Sequence, residues 1–325
     1  MVNISARQAS NLELKCEVPV RNRWYFYVMI VLMNEVFIVI SLAIFGAALG
    51  SFAGAQVWRL RARQLVEDKK AGEKVDKKEY ARLLPLTKQP ALRDRSIDLD
   101  TGKPLAWYDM IPIVSWLMLR GKSRYSGKPI GSFELLMEIG MALFFVMSFI
   151  WWPHPLTDWV QVTKFGIWLV AGVVLAVQFA TDYKWSILWT LLSYAVIGLG
   201  VISAVVTVVG AVDVGAALWS AVGSTLILGG LYFVLYAVSR ERWVGFGDVL
   251  LGIGLGLLLA DWMLALVALF MANLIGTVVV MVGFATKKLK RGQYVPFGPF
   301  FITGAVVAQL FGSAVVQWYL SSILG

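Results

Sequence analysis

The chain has 325 residues, 59% of them hydrophobic and 15% charged, with a mean hydropathy of +0.73. A water-soluble protein carries about 25% charged residues, and several runs here reach the roughly 20 apolar residues that cross a bilayer, so an ordinary soluble fold is excluded. The formal net charge of +9 is no nucleic-acid signal, because the basic residues flank apolar spans, where they report orientation. The one cysteine, Cys16, and the one histidine, His154, exclude an internal disulfide and a cysteine- or histidine-rich metal site.

Residues 1–23 are mixed polar with no small-residue cleavage site behind an apolar core, so no signal peptide is expected. Residues 24–57 are almost continuously apolar, broken only by Asn34-Glu35, which is too long for one ordinary span. Residues 1–34 are therefore expected to be an extension, with Met33 a candidate start and 24–32 an interfacial stretch. Residues 35–57 are expected to form the first transmembrane helix. From 58 to 132 the character changes. Arg59, Arg61, Arg63, Lys69 and Lys70 crowd its start, and Arg120, Lys122, Arg124 and Lys128 its end. The positive-inside rule places this loop domain in the cytoplasm. Within it, residues 59–84 predict a helix leaving the membrane and ended by Pro85. Trp107-Tyr108-Asp109, Pro112 and Trp116 give the remainder enough apolar weight to fold.

Residues 133–325 are expected to form a seven-helix membrane domain, with spans near 133–152, 162–181, 186–210, 214–238, 247–260, 262–286 and 296–323. Lys184, Arg240, Arg242, Lys287, Lys288, Lys290 and Arg291 fall on one side. His154, Asp158, Asp213 and Asp261 fall on the other, and Lys164, against the pattern, is expected to snorkel. The expected fold is an all-α polytopic membrane protein of about eight transmembrane helices, with one cytoplasmic insertion after the first. Both Asp182 and Asp248 then reach the cytoplasmic face. The loop also holds a small repeat. Asp98-Leu99-Asp100-Thr101-Gly102-Lys103-Pro104-Leu105 is echoed by Ser123-Arg124-Tyr125-Ser126-Gly127-Lys128-Pro129-Ile130, two tight turns that would pack as a knuckle.

Gly245-Phe246-Gly247-Asp248 carries the chemistry. An acid at a membrane edge is costly unless it caps, pairs or works. Two carboxylates held close share a proton, one acting as base on a water and the other as acid, as in the aspartic proteases. Asp182 is the expected partner of Asp248. Gly245 and Gly247 would let an extended substrate backbone approach, with Phe246 bordering the site. From the residues alone other roles stay open. Asp248 is a candidate helix N-cap, Asp182 a candidate ion-pair partner of Lys184 or Arg242, and the pair a candidate ion site of a transporter or scaffold.

Five stretches, in order, resemble the type IV prepilin peptidase family. They are Gly50-Ser51-Phe52 with Arg59-Leu60, the stretch from Trp107-Tyr108-Asp109 to Trp116, residues 132–138, Gly245-Phe246-Gly247-Asp248, and Pro296-Phe297-Gly298-Pro299-Phe300. The resemblance covers residues 35–320. It implies a membrane aspartyl endopeptidase with Asp182 and Asp248 as catalytic pair. Such an enzyme cuts the basic leader of prepilin or pseudopilin precursors at the cytoplasmic face of the bacterial inner membrane. It also implies a possible second activity, N-methylation with S-adenosylmethionine, whose binding residues are not assigned. The family's loop often binds zinc through two CxxC pairs. The matching positions here are Asp98, Thr101, Ser123 and Ser126, so no zinc is expected. The family's Asn after GSF is also absent (Ala53-Gly54), as is its LPD (Leu188-Trp189-Thr190) and the lysine after its GxGD (Leu250). Glu134, Glu138, Glu241 and Asp109 are the acids available to a basic leader.

Overall fold

The computed structural model describes residues 20–87, 96–290, 293 and 295–324. Two units are distinguished, Met1–Leu42 and Ala43–Gly325. Residues 1–19 of the expected extension lie outside the described residues.

Helix α1, Val20–Lys70, is 51 residues long. Its segment Asn34–Lys70 is apolar enough to cross a membrane. The charged helix expected to leave the membrane over residues 59–84 is the continuation of α1, and it ends at Lys70 rather than at Pro85. Nothing between Trp58 and Lys70 breaks a helix, and the stop comes at Gly72, whose φ of +82 suits glycine. A second helix, α2 (Lys77–Leu83), begins at Asp76, whose carboxylate accepts from the N–H groups of Lys78 and Glu79, each at 2.8 Å. Pro85 therefore falls in a 3-10 turn, Leu84–Thr87, rather than at the end of one long helix. Arg61 on α1 pairs with Glu79 on α2 at 2.8 Å, and Ala62, Leu65 and Leu83 are buried between them.

Among the described residues, 96–132 are folded, as their aromatic weight predicts. A 3-10 turn, Trp107–Met110, leads into the short α3, Val114–Met118. Trp116 donates its indole N–H to the carbonyl of Gly131 at 2.7 Å, and buried Glu138 accepts from the N–H of Ile113 at 2.7 Å. These bonds dock the loop on the head of the next membrane helix.

That helix is α4, Phe133–Ile150, followed by α5 (Trp159–Trp185), α6 (Thr190–Val209), α7 (Val214–Thr225) and α8 (Leu231–Ser239). A π-helical turn, Leu226–Gly230, joins α7 to α8. The series ends with α9 (Phe246–Leu259), α10 (Trp262–Ala285) and α11 (Gly298–Leu324). Among the described residues seven helices are long and apolar enough to cross a membrane, counting α7 to α8 as one, and α9 is a shorter apolar helix. The polytopic all-α architecture read from the apolar runs is thus what the chain adopts.

Helix α9 has 14 residues, about 21 Å, against the roughly 30 Å of a hydrocarbon core. It is also the most enclosed helix, packed by α6, α7, the π turn, α8, α10 and α11, and most of its residues are buried. Close approach along the face toward α7 and the π turn requires glycine. A Cβ on Gly252 would stand 2.5 Å from the Leu228 carbonyl oxygen in the π turn, and one on Gly256 2.7 Å from Thr225 Cα. Helix–helix contact in lipid relies on such small-residue packing. Ala265, Ala268 and Ala272 on α10 meet Ala305 and Ala308 on α11 in the same core.

Candidate active site

Asp182 lies in the last turn of α5 and Asp248 in the first turn of α9. Their exposures are 3% and 5%, so neither is a surface acid. Gly247, the neighbour of Asp248, and Gly298, which meets Asp182, both pack on Leu188, so the two acids border the same side chain. Two helix ends thus bring together residues 66 apart in sequence (248 − 182).

The capping alternative for Asp248 does not describe this geometry. The N-cap of α9 is Gly245, in extended conformation, with no side-chain capping bond, and Asp248 is the third helical residue. Nor does Lys184 pair with Asp182. Its ammonium stands over the rings of Phe133 (3.5 Å) and Trp58 (3.9 Å), a cation–π arrangement.

What holds Asp182 comes from the far end of the chain. The N–H of Gly298, first residue of α11, donates to Asp182 Oδ2 at 2.9 Å. The first N–H groups of a helix lack internal partners and carry the positive end of its dipole, so they suit a carboxylate. The approach needs glycine, because a Cβ on Gly298 would stand 2.5 Å from that same oxygen. The surrounding Pro296-Phe297-Gly298-Pro299-Phe300 stretch is anchored by rings. Tyr232 lies 5.3 Å from Phe297 and 4.8 Å from Phe301.

The link between α5 and α6 completes the enclosure. Gln178, one turn before Asp182 on the same helix face, is fully buried. Its Oε1 accepts from the N–H of Trp189 at 2.8 Å, and its Nε2 donates to the Trp189 carbonyl at 3.1 Å and to Ser193 Oγ at 2.9 Å. These bonds pin Leu188, which touches both glycine positions. A Cβ on Gly247 would meet Leu188 Cβ at 2.9 Å, and one on Gly298 would meet Leu188 Cδ2 at 3.2 Å. Gly245 and Phe246 are exposed at the mouth of this arrangement, and Phe246 leans on Tyr236 with ring centroids 5.4 Å apart. Gly298, Gln178 and Leu188 are the site residues that the sequence reading did not single out. The PFGPF stretch was the available signal for Gly298, since it was matched as a motif but given no role.

The acids proposed for a basic leader do not converge on the pair. Glu241 accepts from Tyr236 Oη at 2.6 Å, and Asp109 pairs with Arg124 at 3.0 Å. Asp109 and Arg124 help line a cavity of about 220 Å3 between α1, the loop and the head of α4, together with Glu134 and Glu138. There Glu134 Oε1 accepts from the Trp58 indole N–H at 2.8 Å, while its buried Oε2 has no partner.

Among the described residues no group of three or more His, Cys, Asp or Glu is placed to hold a metal ion. The four loop positions that would bind zinc in the resembling family do come together, but as one carboxylate and three hydroxyls. Asp98 accepts from the hydroxyls of Thr101, Ser123 and Ser126. Zinc prefers thiolate and imidazole, so this donor set does not fit it.

A buried carboxylate pair at two helix ends, inside a multi-pass helical bundle, defines the class: a polytopic membrane protein with an enclosed acid site. Comparison with known proteins narrows it. Residues 44–152 match the family described as Bacterial Peptidase A24 N-terminal domain. The prepilin leader peptidase/N-methyltransferase of Xanthomonas campestris pv. campestris is 26% identical over 287 residues, covering 85% of this chain and 92% of that protein. The proteins of the same name from Aeromonas hydrophila and Dichelobacter nodosus are 25% identical over 266 and 289 residues. They cover 78% and 83% of this chain and 80% and 93% of their own length. No solved structure matches. The chain thus resembles the type IV prepilin peptidases over most of its length.

Proposed function

We propose that this chain is a membrane aspartyl endopeptidase that removes the basic leader of type IV pilin-like precursors at the cytoplasmic face of the bacterial inner membrane. Asp182 and Asp248 are its catalytic pair. The observation that carries this reading is the meeting of two buried carboxylates at helix ends, one of them held by the Gly298 N–H.

A backbone N–H aimed at Asp182 suits an ionised partner, which leaves the shared proton on Asp248. Asp182 takes a proton from a water whose oxygen adds to the scissile carbonyl, and Asp248 gives its proton to the carbonyl oxygen. Collapse of the resulting diol breaks the C–N bond: one diol hydroxyl returns its proton to Asp248 as the carboxyl C=O forms, and the proton held by Asp182 passes to the departing amine. The precursor lies extended past Gly245, whose missing side chain leaves room for its backbone, with Phe246 beside it, while the space beside Gly247 is taken by Leu188.

A methyl-transfer half is supported by the names of the similar proteins and by the cavity beside the loop. S-adenosylmethionine would supply a methyl group on a positive sulfonium. Glu134 and Glu138 in the cavity wall would attract that charge, and the Trp116 and Tyr125 rings there offer faces for a base. The test is purified protein with a precursor peptide, read by mass. Cleavage behind the basic leader supports the peptidase. Added 14 Da on the new N-terminus, with methyl-donor binding weakened by Glu134→Gln, supports the second half. An uncleaved precursor refutes the proposal.

A further inference from the structure

The loop turns are built to a common plan. In the first, Asp98 N–H donates to Lys103 O and Gly102 N–H to Asp98 O, both at 2.8 Å. In the second, Ser123 N–H donates to Lys128 O at 2.8 Å and Gly127 N–H to Ser123 O at 2.9 Å, the same bonds 25 residues later. Each is closed by one antiparallel bridge, Ile97 with Pro104 and Lys122 with Pro129. Each turns on a left-handed glycine, Gly102 at φ +70 and Gly127 at +68.

The first residue of each turn then receives its own backbone. Asp98 Oδ1 accepts from the N–H of Asp100 (3.1 Å) and Thr101 (2.7 Å) and from Thr101 Oγ1 (2.8 Å). Ser123 Oγ accepts from the N–H of Tyr125 (3.1 Å) and Ser126 (3.2 Å). The two halves differ in what faces the centre. Asp98 brings a second oxygen, Oδ2, which accepts from the hydroxyls of Ser123 and Ser126 in the other turn. The centre of the knuckle is thus filled from within by an anion, where a metal knuckle has a cation between anions. Burial pushes the Asp98 carboxyl up, but the bonds from Ser123, Thr101 and the backbone outweigh it and hold it below its ordinary value.

We propose that the Asp98 carboxylate takes the structural place of a metal ion, stapling the two turns into one unit without metal. The hydrogen-bond polarity requires it. Four thiolates need a positive centre, whereas three hydroxyls and two N–H groups, all able to donate, need a negative one. Asp98 must act from the first turn because its two oxygens divide the work, Oδ1 closing its own turn and Oδ2 reaching the other. Lys128 Nζ to Asp100 Oδ1, 3.2 Å, is a second, exposed tie across the same seam. Asp98, Asp100, Ser123, Tyr125 and Lys128 also line the loop cavity, so the staple holds that cavity's outer wall.

The test is hydrogen exchange by mass spectrometry on the full chain in detergent, with metal content measured on the same sample. Wild type is expected to hold less than 0.1 zinc per chain and to keep both turns protected in chelator. Asp98→Asn should raise exchange about tenfold in both turns, including residues 121–130, while α5 and α9 stay protected. Asp100→Asn should change it less than twofold. The variant with cysteine replacing Asp98, Thr101, Ser123 and Ser126 together should bind one zinc and lose its protection to chelator. That result shows that the four positions form a metal-type knuckle even if Asp98→Asn folds poorly. One zinc per wild-type chain, chelator-sensitive protection in wild type, or an undisturbed second turn in Asp98→Asn would overturn the proposal. None of these readouts depends on peptide cleavage, so failure here is distinct from failure of the peptidase reading.

Discussion

Gly298→Ala isolates the contact that positions the first aspartate. The glycine's φ is not left-handed, so alanine meets no backbone strain there, and the whole effect is steric. The added Cβ would stand 2.5 Å from Asp182 Oδ2, and ordinary contact begins near 3.4 Å, so the two must part by 3.4 − 2.5, about 0.9 Å. If the carboxylate retreats by that amount from the new methyl, the Gly298 N–H contact, which lies at an angle to that path, lengthens from 2.9 Å to about 3.5 Å, the limit of a hydrogen bond. Losing a bond to a charged acceptor costs about 1.5–3 kcal/mol, which at 1.36 kcal/mol per tenfold is about 10- to 150-fold in rate. A reacting group displaced by about 1 Å gives a loss of the same order. The assay is cleavage of a precursor peptide in proteoliposomes, with kcat and KM measured separately. The expected loss is in kcat. Gly198→Ala, at a helical glycine with open space around its Cβ position, is the control and should cleave normally. Wild-type kcat in Gly298→Ala would mean that the Asp182 contact does not serve the reaction.

Other consequences can be checked in the same preparation. Asp248→Ser keeps a hydroxyl able to cap a helix but no acid, so cleavage should vanish, whereas a transporter or scaffold would tolerate it. Gly256→Ala forces a methyl to within 2.7 Å of Thr225 Cα and should cost about 1–3 kcal/mol of stability, read as a lower thermal midpoint. The Asp98 carboxyl lies below its ordinary value in the folded loop, so its contribution is complete above the ordinary value of 3.8 and is lost as pH falls through the lower folded one. Exchange protection of both turns should therefore hold from neutral pH down to that range and fail below it. Asp98→Asn should remove the transition, and Asp100→Asn should keep it.

Much of the fold is legible because the bilayer imposes a coarse, strong rule. Runs of about 20 apolar residues and alternating basic flanks mark the long helices before any contact is known. The repeat of turn, Gly, Lys and Pro in the loop was equally plain, and its two halves share their hydrogen bonds. Other features depend on contacts that no local pattern announces. Helix α1 runs on to Lys70 because nothing stops it before Gly72, and a change from apolar to charged residues is no helix break. Helix α9 reads as a short span, but its Gly252, Gly254 and Gly256 are explained only by the carbonyl of Leu228, the Val196 side chain and the backbone of Thr225. Asp182 and Asp248 stand out as acids beside apolar runs. The donor to Asp182 is a backbone N–H 116 residues away, on a residue with no side chain to draw notice. Gln178 looks like an isolated polar residue in a span until its bonds to Trp189 and Ser193 show what it pins.

The central claim is that Asp182 and Asp248 act as one catalytic pair. The most direct measurement is turnover of a precursor peptide by wild type, Asp182→Asn and Asp248→Asn, each inserted and folded to the same extent in identical bilayers. The account predicts that each single variant loses at least about 100-fold, the low end for a general acid or base, and that the double variant loses little more. Cleavage at the wild-type rate by either single variant would contradict it.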